Sequence, residues 1–531
     1  MGLRGGEDEE GASSSRALLT HSDTSTPHKF SSSSLLFPIT SISLVIALAL
    51  AFIFFSSPSS SPPPPPPPTS PPSPSPPPPP PPPPSPSPSP PPSPLPPPPS
   101  PPPPSPSPSP PPPSPSPSPS PPPPHSPPPP PPSPPTARPL TKLHHPVVIL
   151  ISLSGFRFGY QFKTITPNIQ RLIRNGTEAE AGLIPVFPTL TFPNHYSIAT
   201  GLYPPYHGII NNKFVDPATG DKFTTASREL KWWLGRPLWE TVTANGFKAA
   251  TYFWPGSEVI KGSWTCPSRY CKHYNNFVPF EDRVDTVLGY FDLPPDEMPV
   301  FMTIYVEDLD QQGHKFGPDD DEITQAVARI DSLIGRLIKG LEDRDVFEDV
   351  TIILVGDHGM VGTCDQKLIF LDDLGIPAHW VQSYSPLLAI RPSHTHAPAH
   401  VVDKMNQRLS SGRVENGGKL KVYLKEDLPE RLHYAASDRI APIIGLVHEG
   451  FKVEQSRTLK KECGGAHGYD NDFFSMRTIF IGHGPQFAKG RKIPSFENIQ
   501  IYNLITSILN ITGVYNNGSA TFPESILLPP A

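Results

Sequence analysis

The sequence predicts an α/β fold, a sheet flanked by helices, preceded by a membrane-spanning helix and a disordered polyproline II tract. Three observations carry this. Short apolar runs alternate with amphipathic segments after His145, as in a layered α/β sheet. Acids and histidines follow those runs again and again, where α/β sheets gather their sites. Proline is segregated: of 85 prolines in 531 residues, 55 lie between Pro58 and Pro135. That tract cannot supply a hydrophobic core. The remainder, about 390 residues from Arg138 on, is long enough for a large one. A net charge of −6 without a long basic run argues against a nucleic-acid scaffold.

The elements follow in order. Residues 1–34 are polar and serine-rich and read as a disordered cytoplasmic tail. Residues 35–55 are apolar and uncharged, long enough to span a bilayer, with Pro38 near the start where a helix tolerates it. The length and late start of this run favour an uncleaved signal anchor over a cleaved signal peptide. Glu7, Asp8, Glu9 and Glu10 argue against a transit peptide. Arg4, Arg16 and Lys29 precede the span, and no Lys or Arg follows until Arg138. The chain is therefore expected to be a single-pass type II membrane protein of the secretory pathway, its bulk lumenal or extracellular. Residues 56–140 form a proline/serine-rich linker. Polyproline II geometry would let its proline tract reach on the order of 240 Å. Its Ser-Pro-Pro-Pro-Pro blocks resemble plant cell-wall extensins, so a stiff spacer is expected, with contact to the cell wall as a second reading.

Residues 146–531 form the folded domain. Val147–Ile151 predicts a buried strand ending in the turn Ser152-Leu-Ser-Gly. Pro167 to Arg174 predicts a helix with Pro167 in its first turn and Gly176 as its stop. Phe301–Val306 predicts a strand running into Glu307-Asp-Leu-Asp310-Gln-Gln-Gly-His314. Apolar residues at helical spacing from Ile323 to Leu341 predict an amphipathic helix over 321–341. Thr351–Val355 predicts a third strand, followed by Gly356-Asp357-His358-Gly359. Arg477–Gly482 predicts a fourth, just after Gly465-Ala-His467-Gly-Tyr.

Four cysteines, Cys266, Cys271, Cys364 and Cys463, predict two disulfides in a lumenal domain. Three pairings are possible; a local Cys266–Cys271 loop and a long-range Cys364–Cys463 staple are favoured. Sequons at Asn175, Asn510 and Asn517 suit glycosylation along a secretory route.

A single Asp-His pair after a strand is an ordinary turn. Three such clusters at successive strand ends are improbable as independent turns. Carboxylate oxygen and imidazole nitrogen together suit zinc. Five donors from three loops exceed one tetrahedral ion, so two metals are expected, a pair able to clamp the attacking and leaving oxygens of phosphoryl transfer. The nucleophile candidate is Thr191, which needs activation by a metal or a base.

From about Val147 to Leu527 the chain resembles the nucleotide pyrophosphatase/phosphodiesterases of the alkaline phosphatase superfamily, especially plant members. The resemblance rests on Thr191-Phe-Pro-Asn-His-Tyr-Ser-Ile, Gly201-Leu-Tyr-Pro-Pro-Tyr-His-Gly-Ile-Ile-Asn-Asn, Phe253-Trp-Pro-Gly-Ser, Asp310-x-x-x-His314-x-x-Gly-Pro, Gly356-Asp-His-Gly-Met and His467-Gly-Tyr. It implies an alkaline phosphatase-like mixed sheet, two zinc ions, and hydrolysis of phosphodiester or pyrophosphate bonds of nucleotides and nucleotide sugars. A threonine-linked nucleotidyl intermediate would then release nucleoside monophosphates. By the same resemblance Thr191 is the nucleophile and Asn212 hydrogen-bonds a phosphate oxygen. Asp310, His314 and His467 hold one zinc; Asp357 and His358 hold the other. Phe192 and Tyr274 sandwich the base. Sulfatase chemistry is disfavoured, since Cys266-Pro-Ser-Arg269 lacks the Cys-x-Pro-x-Arg spacing.

Two positions depart from the family: Leu309, mildly, where a proline usually precedes Asp310, and Ser154, which matters more. Ser154 stands in Ser-Leu-Ser154-Gly-Phe-Arg where the family has an aspartate that ligates the second zinc. Losing even an outer-shell group costs 10–100-fold in affinity or activity, so a lost ligand is expected to weaken the enzyme further. The alternative expectation is a catalytically impaired, membrane- or wall-anchored relative that binds nucleotides or wall components.

Overall fold

A computed structural model describes residues 135–457 and 463–530. The tail, the predicted anchor at 35–55 and the proline tract lie outside the described residues. Among the described residues no helix is long and apolar enough to cross a membrane.

The main sheet has eight strands. In chain order they are β1 (Val147–Leu153), β2 (Gly176–Ala179), β3 (Ala249–Tyr252), β4 (Cys271–Lys272), β5 (Phe301–Val306), β6 (Val350–Val355), β7 (Phe480–His483) and β8 (Arg491–Ile493). Their order across the sheet is β8-β2-β7-β6-β1-β5-β3-β4. β1 pairs in parallel with β5 and β6, while β7 runs antiparallel to β6 and β2, so the sheet is mixed. β1 is buried along its whole length, which is why Val-Val-Ile-Leu-Ile-Ser-Leu reads as continuous rather than alternating. Its side chains still divide by face. Val148 and Leu150 enter one core with the helices Thr191–Thr200, Leu238–Ala244 and Gln500–Ile508. Val147, Ile149, Ile151 and Leu153 enter the other, with Pro167–Arg174, Phe280–Tyr290 and Asp321–Glu342. The last of these is the predicted amphipathic helix, capped by Asp320, whose carboxylate accepts from the Glu322 N–H at 2.9 Å.

Register sets the site. Leu153 lies beside Val306, and Ser152 beside Val355. The carboxyl ends of the three central strands therefore deliver Ser154, Glu307–His314 and Asp357–His358 to one place.

The structure corrects two boundaries. The strand expected over 477–482 begins at Phe480, because Phe474–Met476 forms a single helical turn just before it. The segment after β5 is a nine-residue helix, Asp308–Phe316, so Asp310 and His314 come from one helical face four residues apart, not from a loop.

A smaller antiparallel sheet, not anticipated from the sequence, orders Val381–Ser383, Leu387–Ile390, Ile443–Val447 and Leu420–Leu424. With the helix Pro398–Leu409 one face of it builds a separate apolar core, while Leu387, Ala389 and Ile444 on the other join the core of Val148 and Leu150. A two-stranded ribbon, Val361–Thr363 against Gly464–Ala466, joins this region to the site.

Candidate active site

Thr191 is the first residue of the helix Thr191–Thr200. Its Oγ1 lies 3.2 Å from His358 Nε2. The His358 ring stacks on His467, centroids 3.5 Å apart. His467 in turn converges with Asp310 and His314. Phe192 donates its N–H to Asn212 Oδ1 at 2.9 Å, so the Asn212 carbonyl is anchored and its NH₂ points elsewhere.

The trio Asp310, His314 and His467 fits a cation on the chemistry of its donors. His314 Nδ1 donates to the Gly465 carbonyl at 3.0 Å, and His467 Nδ1 to the Thr189 carbonyl at 2.9 Å. A carbonyl only accepts, so both protons are on Nδ1 and both Nε2 atoms present lone pairs. Those lone pairs face each other across 3.1 Å and lie 3.4 and 3.3 Å from Asp310 Oδ1. That oxygen is buried and has no hydrogen-bond partner. Three acceptors converging on one point repel unless a positive ion sits among them. Gly155 makes the approach possible: its φ is +71°, and a Cβ there would lie 2.8 Å from Asp310 Cα.

Asp357 is placed differently. Ser154 Oγ donates to its Oδ2 at 2.9 Å, and the N–H groups of Gly155 and His358 donate to its Oδ1 at 3.0 and 2.9 Å. Ser154, Asp357 and His358 are fully buried. Burial alone would raise the Asp357 carboxyl, but His358, His195 and the Gly155 N–H outweigh it and hold it well below the usual carboxylate range. Burial likewise works against a charged His358, and the Asp357 carboxylate overrides it, raising its pKa. For His467 burial wins: with His358 and His314 beside it, burial drives it well down into the neutral form despite the Thr189 carbonyl and Asp357. Burial raises Asp310.

His195, quoted in the threonine motif but given no role there, is the main residue missed. It lies one turn after Thr191, accepts or donates at Ser152 Oγ (2.8 Å) and binds the Thr191 carbonyl through Nδ1 (2.8 Å). The spacing of four residues from the threonine was the available signal.

Beside Thr191 opens a cleft of about 250 Å³ lined by Phe192, Phe253, Trp254, Tyr274 and Tyr305 among others, so the two expected aromatic partners do share one cavity. Tyr274 donates to Glu307 Oε1 at 3.3 Å, and Glu307 is held by the buried Arg283 through bonds of 2.6 and 3.0 Å. Phe253 sits in the left-handed region at φ +67°, uncommon for an aromatic residue, packed between Arg283 and Tyr274.

The cysteines pair as Cys266–Cys271 and Cys364–Cys463. Among the sequons, Asn510 and Asn517 are exposed. Asn175 is half-buried, its amide donating to the Arg171 carbonyl at 3.1 Å.

The family described as Type I phosphodiesterase / nucleotide pyrophosphatase matches residues 148–470. The chain belongs to that family. Human ectonucleotide pyrophosphatase/phosphodiesterase family member 1 is 40% identical over 383 residues, covering 70% of this chain and 41% of the relative. Venom phosphodiesterase 2 of Crotalus adamanteus is 40% identical over 384 residues, covering 70% of this chain and 46% of the relative. The chain thus spans less than half the length of these relatives. Among solved structures, murine ectonucleotide pyrophosphatase/phosphodiesterase 5, an inactive threonine-to-alanine form in complex with AMP, superposes with a TM-score of 0.66 at 31% identity, covering 72% of this chain and 100% of that one. That coverage supports the alkaline phosphatase-like α/β fold for the whole described domain.

Proposed function

We propose that this chain hydrolyses phosphodiester or pyrophosphate bonds of nucleotides and nucleotide sugars, releasing nucleoside monophosphates. The observation that carries the reading is the position of Thr191, with a cation-seeking trio on one side and an aromatic cleft on the other. The base stacks between Phe192 and Tyr274, and the phosphate lies over the start of the threonine helix. The Thr191 oxygen forms a bond to phosphorus as the bond to the leaving oxygen breaks; its hydroxyl proton faces His358 Nε2. Water then cleaves the threonine–phosphorus bond. Asn212, anchored through its carbonyl, offers its NH₂ to a non-bridging oxygen where charge builds. Asp310, His314 and His467 would hold zinc, which neutralises charge on the transferred group when bound. The inactive threonine-to-alanine relative in complex with AMP supports both the nucleophile and the product class.

The domain is read as lumenal or extracellular, held by an anchor at 35–55 and spaced by the proline-rich 56–140, with contact to the cell wall as the second reading of that tract. Two disulfides and the ecto- names of relatives support this placement. Ser154 favours the second reading, a nucleotide-binding relative with impaired catalysis.

The test is turnover of a chromogenic nucleoside phosphodiester by the zinc-supplemented full chain, against the corresponding monoester. Diester hydrolysis that Thr191→Ala abolishes supports the hydrolase. Nucleotide binding by calorimetry without turnover moves the assignment to the binding relative.

A further inference from the structure

The two halves of the site make different demands on a cation. At Asp310 a buried carboxylate oxygen has no donor, and two imidazole lone pairs point at it. At Asp357 both oxygens already receive protein donors: the Ser154 hydroxyl on Oδ2, the N–H groups of Gly155 and His358 on Oδ1; His358 Nε2 also lies 3.1 Å from Oδ2, but it in turn faces the Thr191 hydroxyl at 3.2 Å. The family's second ion needs a carboxylate at position 154, and the residue present is a neutral hydroxyl that donates toward Asp357 instead of offering charge to a metal. Charge counting points the same way. Asp310 and Asp357 are the acidic residues among the five expected ligands. Their two negative charges balance one divalent ion, and a second would leave two positive charges beside the buried Ser154, Asp357, His358 and His467. The residues of the second position therefore do not fit the ion that the resemblance implies.

We propose that this chain holds a single divalent cation, at Asp310, His314 and His467, and that Ser154 closes the neighbouring position with protein hydrogen bonds. The proposal rests on the metal reading of the site above and deepens it. It also reassigns Asp357 and His358: they are a buried clamp that orients Thr191, whose hydroxyl contacts His358 directly. Restoring a carboxylate at 154 would place two anions against each other beside His358 and would recreate the demand for a second ion.

The full chain, stripped with chelator and dialysed against buffered free zinc, is assayed for zinc per chain by atomic absorption, alongside Ser154→Asp, Asp357→Asn and His467→Ala. The expected result is one zinc on the native chain and on Asp357→Asn, none on His467→Ala, and two on Ser154→Asp. Two zinc ions on the native chain, or loss of zinc from Asp357→Asn with its fold intact by circular dichroism, would overturn the proposal. The native count stands even if Ser154→Asp does not fold. Diester turnover measured on the same samples separates the two claims: a two-zinc chain that hydrolyses sinks the single-cation proposal alone, and a one-zinc chain without turnover sinks the hydrolase alone.

Discussion

Asp310 and Asp357 lie in one pocket, at the ends of β5 and β6 on either side of β1, yet one carboxylate has a buried oxygen with no donor and the other has donors on both oxygens. Asp310 Oδ1 is without a partner. Asp357 has three, one of them the Ser154 hydroxyl. The lesson is that ligand identity alone does not define a metal position. What defines it is whether the donors are left unsatisfied by the protein, since an unpaired buried acceptor is costly and an ion removes that cost.

The strongest way to break this comparison is His467→Ala. It removes a ligand of the proposed cation, so activity should fall by more than the roughly 100-fold upper figure for outer-shell losses, with zinc binding lost in parallel. Steady-state kinetics with zinc titration would show it. An unchanged zinc affinity would dissolve the contrast.

A second test asks whether an orphan polar atom is by itself a metal signal. His483 in β7 is fully buried, stacked on Phe347 at 4.6 Å, and neither ring nitrogen has a partner. No other donors converge on it, and among the described residues it belongs to no cation cluster. Its imidazole should simply stay neutral. Burial pushes its pKa down from 6.5 to about 4. The unfolded chain then binds a proton that the folded chain refuses. Stability is fully present above 6.5 and is lost as pH falls toward 4, by roughly 3 kcal/mol over that window. Denaturant midpoints of the native chain and His483→Leu, compared from pH 7 to pH 4.5, should shift relative to each other in the variant's favour on acidification, because only the native chain suffers this loss.

Ser154→Ala probes the saturated side. It leaves the Asp357 oxygen short of a donor in a fully buried place, and should cost about 1–3 kcal/mol in urea unfolding without lowering zinc content. A drop in zinc content would return Asp357 to the metal ligands. The smallest effect is expected from His195→Gln, which keeps one polar contact near Ser152 and Thr191. It should lower kcat by about tenfold, within the range of outer-shell changes, with KM little altered.

The central strands were legible because their burial on both faces makes them continuous apolar runs, and the helix Asp321–Glu342 because one face of it repeats at helical spacing. Thr191, the trio and the Ser154 departure were legible as motifs. The smaller sheet was not: its strands are three to five residues long, too short to show a period. The helical setting of Asp310 and His314 was hidden by a polar segment with little apolar pattern. The closure at Asp357 was beyond reach for another reason. It depends on the parallel register of β1 with β6, which brings together residues 203 positions apart.

The Cys364–Cys463 bond lies one residue beyond the paired Thr363 and Gly464, and 99 positions of chain separate its two ends. Those intervening residues contain the smaller sheet and its own core, while His358 and His467 stand just outside the bond on either side. The lobe is thus tied to the site at its neck, while Leu387, Ala389 and Ile444 on one face of its sheet pack into the core that also holds Val148 and Leu150. Only its outer side, the core under the helix Pro398–Leu409, is insulated from the main core, which makes that side the place where this scaffold can take on new surface with the two histidines kept at their posts.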